Sequence, residues 1–195
     1  MGETVELTAA DGHTLAAYTA GPGDAPRALI LCHDTSGLCG HMRRMADRAA
    51  AFGFRVVAPA FFDRIERGID LHTHPDDLDR GAAIAARVTV AMQMNDSKAA
   101  MAHLACDRTG LLGFGWGATT AWRAAARLPD LHAAVGFYGT GIAEARQETP
   151  LCPRATAFRR RRPPDPAQRR QRHFQRPAAS GNCHIPDRRS PVRVR

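Results

Sequence analysis

The sequence predicts an α/β protein: a mainly parallel sheet with helices on both faces, opened by a β-hairpin. Three observations carry this. The short run at 28–31 is continuously apolar, as in a strand covered on both faces, and further strands are read at 54–58, 109–114 and 133–138. Helical spacing of apolar residues fills the intervals between them. Residues 4–8 and 13–18 do alternate, and they flank Asp11-Gly12, a pair suited to the positive φ angles of a tight hairpin. Strands that take turns with helices give a sheet whose neighbours run parallel.

Each element has its own local reason. Gly21, Pro22, Gly23 and Pro26 make a loop before the run Ala28–Leu31. A polar, glycine-containing turn leads into a helix over about 41–52, with Met42, Met45, Ala49 and Phe52 on one face and Gly53 as its stop. The strand FRVVA, 54–58, is closed by Pro59. Residues 60–79 are expected as a long charged loop. A helical stretch covers about 80–105, with a break placed near Asn95-Asp96-Ser97. A strand over 109–114, a helix over 117–128 and a strand over 133–138 complete the ordered part.

The charge divides the chain. All 195 residues carry +8, which by itself points to a polyanionic partner. Residues 151–195 hold 13 Arg, no Lys and two acids, Asp165 and Asp187, a balance of +11; residues 1–150 hold 14 basic and 17 acidic residues, a balance of −3. The expected organisation is therefore a mildly acidic globular domain, 1–150, and a basic, proline-rich, disordered tail, 151–195. No run of about 18 apolar residues marks a membrane span. The N-terminus lacks the pattern of a secretion signal, so a cytoplasmic protein is expected. Five cysteines at irregular spacings fit reduced thiols. Cys32, Cys39, His33 and His41 match no zinc spacing, and His72, His74, Asp76 and Asp77 read as a solvated loop, so no metal is expected.

In parallel sheets the chemistry sits outside the carboxyl ends of the strands. Two segments lie there: Cys32–Gly37 and Gly113–Gly117. The run LLGFGWGATTAW passes from strand to helix through three glycines. Gly113, Gly115 and Ala118 fit the dinucleotide pattern G-x-G-x-x-A, although the next strand lacks the acid that holds a ribose. The same residues fit a nucleophile elbow, G-x-Nuc-x-G, with Gly115 in the nucleophile's place. A plain glycine-rich turn is the third reading.

The wider sequence favours the elbow. Residues 109–141, TGLLGFGWGATTAWRAAARLPDLHAAVGFYGTG, resemble the dienelactone hydrolase family of α/β-hydrolases, whose elbow reads G-(F/Y)-C-x-G-G and whose next strand ends in an (F/Y)-Y-G turn. Gly136-Phe137-Tyr138-Gly139 matches that turn. ALILCHDTSG, 28–37, is similar to the family's strand and its H-E-x-x-G turn. The resemblance covers about residues 3–150 and implies hydrolysis of small-molecule esters or lactones without a cofactor. By position, Asp34 stands where the family has a glutamate that interacts with the resting nucleophile; a turn or capping role is its alternative. Thr35 and Trp116 match the backbone donors of the oxyanion hole, and Gly115 replaces the catalytic cysteine.

The family then continues with a strand, an acid turn, a helix and a histidine turn. The tail resembles none of these. Arg outnumbers Lys 26 to 1, as in a GC-rich gene. With suitable synonymous codons, residues 154–170 hide ALLHFGDADPRIPPSDV one frame forward, and 181–193 hide AIATYPTAGHRFA. Both look like the missing turns, with the acid in the register of Arg162 and the histidine in that of Ser190. The expectation is an inactive family member whose C-terminal strands are missing through a frameshift. The rival expectation is a non-catalytic binding protein whose basic tail contacts nucleic acid, a partner otherwise not expected.

Overall fold

The computed structural model describes residues 2–72, 74–139 and 141–157. Seven strands are β1 Glu3–Thr8, β2 Thr14–Ala20, β3 Ala28–Cys32, β4 Arg55–Pro59, β5 Thr109–Phe114, β6 Ala133–Phe137 and β7 Arg154–Ala157. Four helices are α1 Gly40–Ala51, α2 Pro75–Arg87, α3 Val90–Leu104 and α4 Trp116–Arg127. One sheet has the order β1-β2-β4-β3-β5-β6-β7. The opening hairpin pairs antiparallel with itself and with β4, and every other neighbour is parallel. Hairpin, parallel core and alternation are as the sequence predicts.

Two cores sandwich the sheet. Ile30, Val57 and Leu111 point to the face that carries α3 and α4, where Ala100, Leu104, Ala121 and Ala124 meet them. Leu31, Val56 and Ala58 point to the other face and pack on Met42 and Ala46 of α1. The small alanines of α4 let that helix lie close on β5 and β6. Beside α1, half-buried Leu29, Leu112, Ala133 and Val135 floor an open groove of about 350 Å³, rimmed by Arg27 and Arg108.

The structure corrects four expectations. The loop expected over 60–79 contains a 3-10 turn, Phe61–Arg64, and the first turn of α2. Its Pro75-Asp76-Asp77 is a helix start: proline needs no N–H at the first position, and the acids face the positive end of the dipole. The helical break falls at Val88-Thr89, where the Thr89 hydroxyl caps α3 by accepting from Met92 N–H at 3.3 Å, not at 95–97. Asn95-Asp96-Ser97 stays helical because its polar groups find partners. The Ser97 hydroxyl donates to the Gln93 carbonyl at 2.7 Å, and Asp96 receives Arg64. Phe52 follows α1 and is 74% exposed, outside the apolar face.

The fourth correction concerns the sheet's far edge. β7 lies beyond Pro150, within the segment read as tail, so one more strand is present than expected. Side chains anchor it: the Arg154 guanidinium lies 3.4 Å over the Trp122 ring and donates to the Glu148 carbonyl at 3.0 Å. Residues 158–195, including the registers of Arg162 and Ser190, lie outside the described residues.

Candidate functional site

The sheet's register sets the site. β3 and β5 are parallel neighbours with Cys32 opposite Gly113, so the turns that leave them emerge side by side. Their closeness explains Gly117, and the tightness of the elbow itself explains Gly113. A Cβ on Gly113 would overlap the Gly117 carbonyl, and one on Gly117 would overlap the carbonyls of Cys32 and His33. Gly115 has another reason: at φ 51° and ψ −112° it holds the strained conformation of a strand-to-helix elbow. Its N–H donates to the Phe137 carbonyl at 3.0 Å, which ties the elbow to β6.

The structure brings together Asp34, Thr35, Gly115 and Trp116, the four residues the sequence singled out. Thr35 N–H and Trp116 N–H both donate to one carboxylate oxygen, Asp34 Oδ1, at 2.7 and 3.2 Å. The carboxylate lies over Gly115, so a Cβ at 115 would overlap it. Asp34 thus fills both the space of a side chain at 115 and the donor pair beside it. Trp116 begins α4, so this oxygen also sits at the positive end of a helix dipole. The donor that a bound pyrophosphate would need is already taken, which disfavours the dinucleotide pattern.

Neighbouring segments hold the donor turn in place. Gly37 bridges Asp70, and Leu71 N–H donates to the Ser36 carbonyl at 2.9 Å. Gly81 of α2 lies so near the Thr35 carbonyl that a Cβ there would overlap it.

The site opens into a cleft of about 400 Å³ lined by Asp34, Cys39, His41, Arg44, Phe114 and Tyr138, among others. Phe114 stacks on Phe137 with ring centres 5.6 Å apart. Burial, with the Asp34 charge, raises the Tyr138 phenol above its ordinary pKa. His72 contributes its backbone N–H to Asp77, and His74 stands near Asp76 on the surface. Among the described residues, no group of three or more His, Cys, Asp or Glu is placed to hold a metal ion. Cys32 is fully buried in the core, and burial raises its thiol pKa.

Sequence reasoning gave His33 no place in the site. It is buried directly beneath it. Its Nδ1 lies 2.8 Å from the Asp34 carbonyl; that oxygen only accepts, so Nδ1 carries the proton. The ring stacks on Trp116 at 5.7 Å and meets the edge of Phe62 at 4.6 Å. Nε2 is buried with no partner among the described residues. Burial pushes its pKa down to about 4, against the pull of Asp34 and Asp63. A polar residue closing an apolar run was the available signal.

A pH dependence follows. Unfolded His33 takes a proton near pH 6.5 and the folded residue only near 4, so the unfolded state binds more protons between them. Folding stability should fall by about 3 kcal/mol as the pH drops through that window. Denaturation of the His33→Asn variant should lack this slope. An unchanged slope would place the titration elsewhere.

Comparison with known proteins bears on the family and the fold. The model of the dienelactone hydrolase family matches residues 15–157. A Synechocystis protein named provisionally as a carboxymethylenebutenolidase is 28% identical over 137 residues, covering 66% of this chain and 55% of its own length. A Methylorubrum extorquens protein with the same provisional name is 28% identical over 158 residues, covering 76% of this chain and 53% of its own. The chain therefore spans about half the length of these relatives. A solved Klebsiella pneumoniae structure, described provisionally as a dienelactone hydrolase, superposes with a TM-score of 0.60 at 26% identity, covering 71% of this chain and 60% of that one. A dienelactone hydrolase-like phosphotriesterase from metagenomic libraries shares the fold, with a TM-score of 0.55 at 15% identity. No described helix is long and apolar enough to cross a membrane.

Proposed function

The chain belongs to the dienelactone hydrolase family, and from that premise we propose that it retains the substrate-facing frame of an ester or lactone hydrolase without the covalent chemistry. One observation carries the reading: the elbow position that presents the nucleophile is Gly115, and the Asp34 carboxylate occupies its place. Acyl transfer needs a nucleophile on the elbow, a base to deprotonate it, and donors for the developing oxyanion. Thr35 and Trp116 would be those donors, but their N–H groups are spent on Asp34. Without a thiol at 115 no acyl-enzyme forms.

The substrates of the ancestral site would be small esters or lactones, handled in the cytoplasm. The composition from about Cys152 onward supports a frameshift as the origin of the arginine-rich tail, because synonymous codons can be chosen so that the shifted frame carries an acid turn and a histidine turn in order. The nucleotide sequence tests this. A shifted frame with early stops, or without those two turns, would refute it.

Activity is tested on the purified 195-residue chain with aryl esters and dienelactone. Turnover at background level is expected. Clear turnover that disappears on Asp34→Asn substitution would overturn the reading and make Asp34 a participant.

A further inference from the structure

We propose that the open groove beside α1 docks an amphipathic helix of a partner protein, with acidic residues at the end that lies over Arg27 and Arg108. The burial of the strands marks the place. Along β5, Thr109, Leu111 and Gly113 are buried, while Gly110, Leu112 and Phe114 on the opposite side are half-buried. β6 repeats this: Ala134 and Gly136 are buried, and Ala133, Val135 and Phe137 are half-buried. Leu31 of β3, one strand nearer α1, is buried with Met42 and Ala46 of that helix. Thus α1 shields β3 and β4, and the described residues leave the same face of β5 and β6 half open.

The groove has the shape of a helix seat. Leu29, Gly110 and Ala133 form one row across β3, β5 and β6, and Leu31, Leu112 and Val135 form a second. Three strands span two gaps of about 4.8 Å, which matches the width of one helix, about 10 Å. Gly110 leaves a notch in this floor. A Cβ there would make only ordinary contacts, with the Ala133 carbonyl at 3.6 Å and Leu29 Cδ1 at 3.7 Å. A leucine on the docked helix fits the notch, and its neighbours one turn away meet Leu112 and Val135.

Charge selects the occupant. Arg27, Arg108 and His132 line the groove and stand just before β3, β5 and β6, so all three lie at one end of it. No acid among the described residues lines it. Neither arginine forms an ion pair with a described acid. Arg27 is held on the rim by the Phe54 ring, 4.9 Å from its guanidinium carbon. A second copy of this chain would offer the same acid-free rim, and residues 158–195 hold 12 Arg and two Asp, a charge of the same sign. An apolar helix with an acidic end complements both floor and rim, and such complementarity sets specificity.

The inference needs no chemistry at the elbow, so it is tested by binding alone. The probe is a synthetic peptide of about 18 residues with leucines at i, i+3, i+4 and i+7, alanine and glutamine elsewhere, and two glutamates in its last turn. A twin carries lysines in place of the glutamates. Affinity for the full chain is read by fluorescence anisotropy, and the place of binding by NMR of the Leu29, Leu112 and Val135 methyl groups. The glutamate peptide should bind at least about tenfold more tightly than its twin, and the double variant Arg27→Glu, Arg108→Glu should reverse that order. Gly110→Val fills the notch without steric conflict. It should weaken the glutamate peptide about tenfold and leave the melting temperature no lower. Equal affinity for the two peptides, or methyl shifts outside the groove, would overturn the inference. So would tighter binding of phosphatidylserine vesicles through the same methyl groups, or a dimer in sedimentation that Gly110→Val dissociates. Ester turnover by the unchanged chain would refute the proposed function and leave this result standing.

Discussion

Alanine at Gly117 should destabilise the protein by more than about 4 kcal/mol, the range reserved for outright steric conflict in a core. The new Cβ would meet the carbonyls of Cys32 and His33, which are backbone atoms fixed by the pairing of β3 with β5. Neither can move without breaking the sheet's central ladder. Alanine at Gly115 meets a different obstacle, the end of the Asp34 side chain, which can rotate away. Its cost is backbone strain of about 1–3 kcal/mol, plus about 1 kcal/mol for each of the two bonds that Asp34 gives up. In an Asp34→Gly background the second part should vanish, so the two substitutions should be non-additive. Urea denaturation of the four variants measures all of this. A Gly117→Ala protein within about 1 kcal/mol of the unchanged chain would contradict the packing described.

Arg64→Ala should cost about 3–5 kcal/mol, because it strands a buried charge. The Arg64 guanidinium donates to Asp96 at 2.6–3.2 Å and to Asp11 at 2.7 and 3.0 Å. Asp96 has no exposed surface. Burial raises its pKa, and Arg64 works against that rise. Asp11 is more exposed, and Arg64 with Asn95 holds its carboxyl well below the usual carboxylate range. Its contribution is present above the unfolded carboxylate pKa of about 3.9 and is lost as the pH falls below it. Asp11→Ala should therefore cost far less than Arg64→Ala at neutral pH. Chemical denaturation compares them, and equal losses would mean that Asp96 is not the charge that matters.

The sheet was legible because short strand runs take turns with helices after an alternating hairpin, and the elbow because the three glycines stand at fixed spacing around a tight turn. What escaped depends on partners distant in sequence. Asn95-Asp96-Ser97 looks like a helix breaker until Arg64, over thirty residues away, supplies the charge that keeps it helical. Pro75-Asp76-Asp77 looks like a loop unless it is read as a capped start. β7 has no apolar pattern, and its strand is held by Arg154 on Trp122. At the site, matching positions sufficed to group Asp34, Thr35, Gly115 and Trp116. No spacing rule could foresee that the Asp34 carboxylate would turn inward onto both donors, since that follows from the space left by one missing Cβ. His33 escaped because its role is carried by contacts with Phe62 and Trp116.

The clasp over the donor turn also bears on redesign. Gly37 on Asp70, Leu71 on Ser36 and Gly81 against Thr35 are contacts of main-chain atoms, indifferent to the identity of most side chains nearby. The converging pair of N–H groups is thus maintained by the stability of the fold rather than by the presence of a nucleophile. A designer need not rebuild it. The local changes fall on residues 34 and 115.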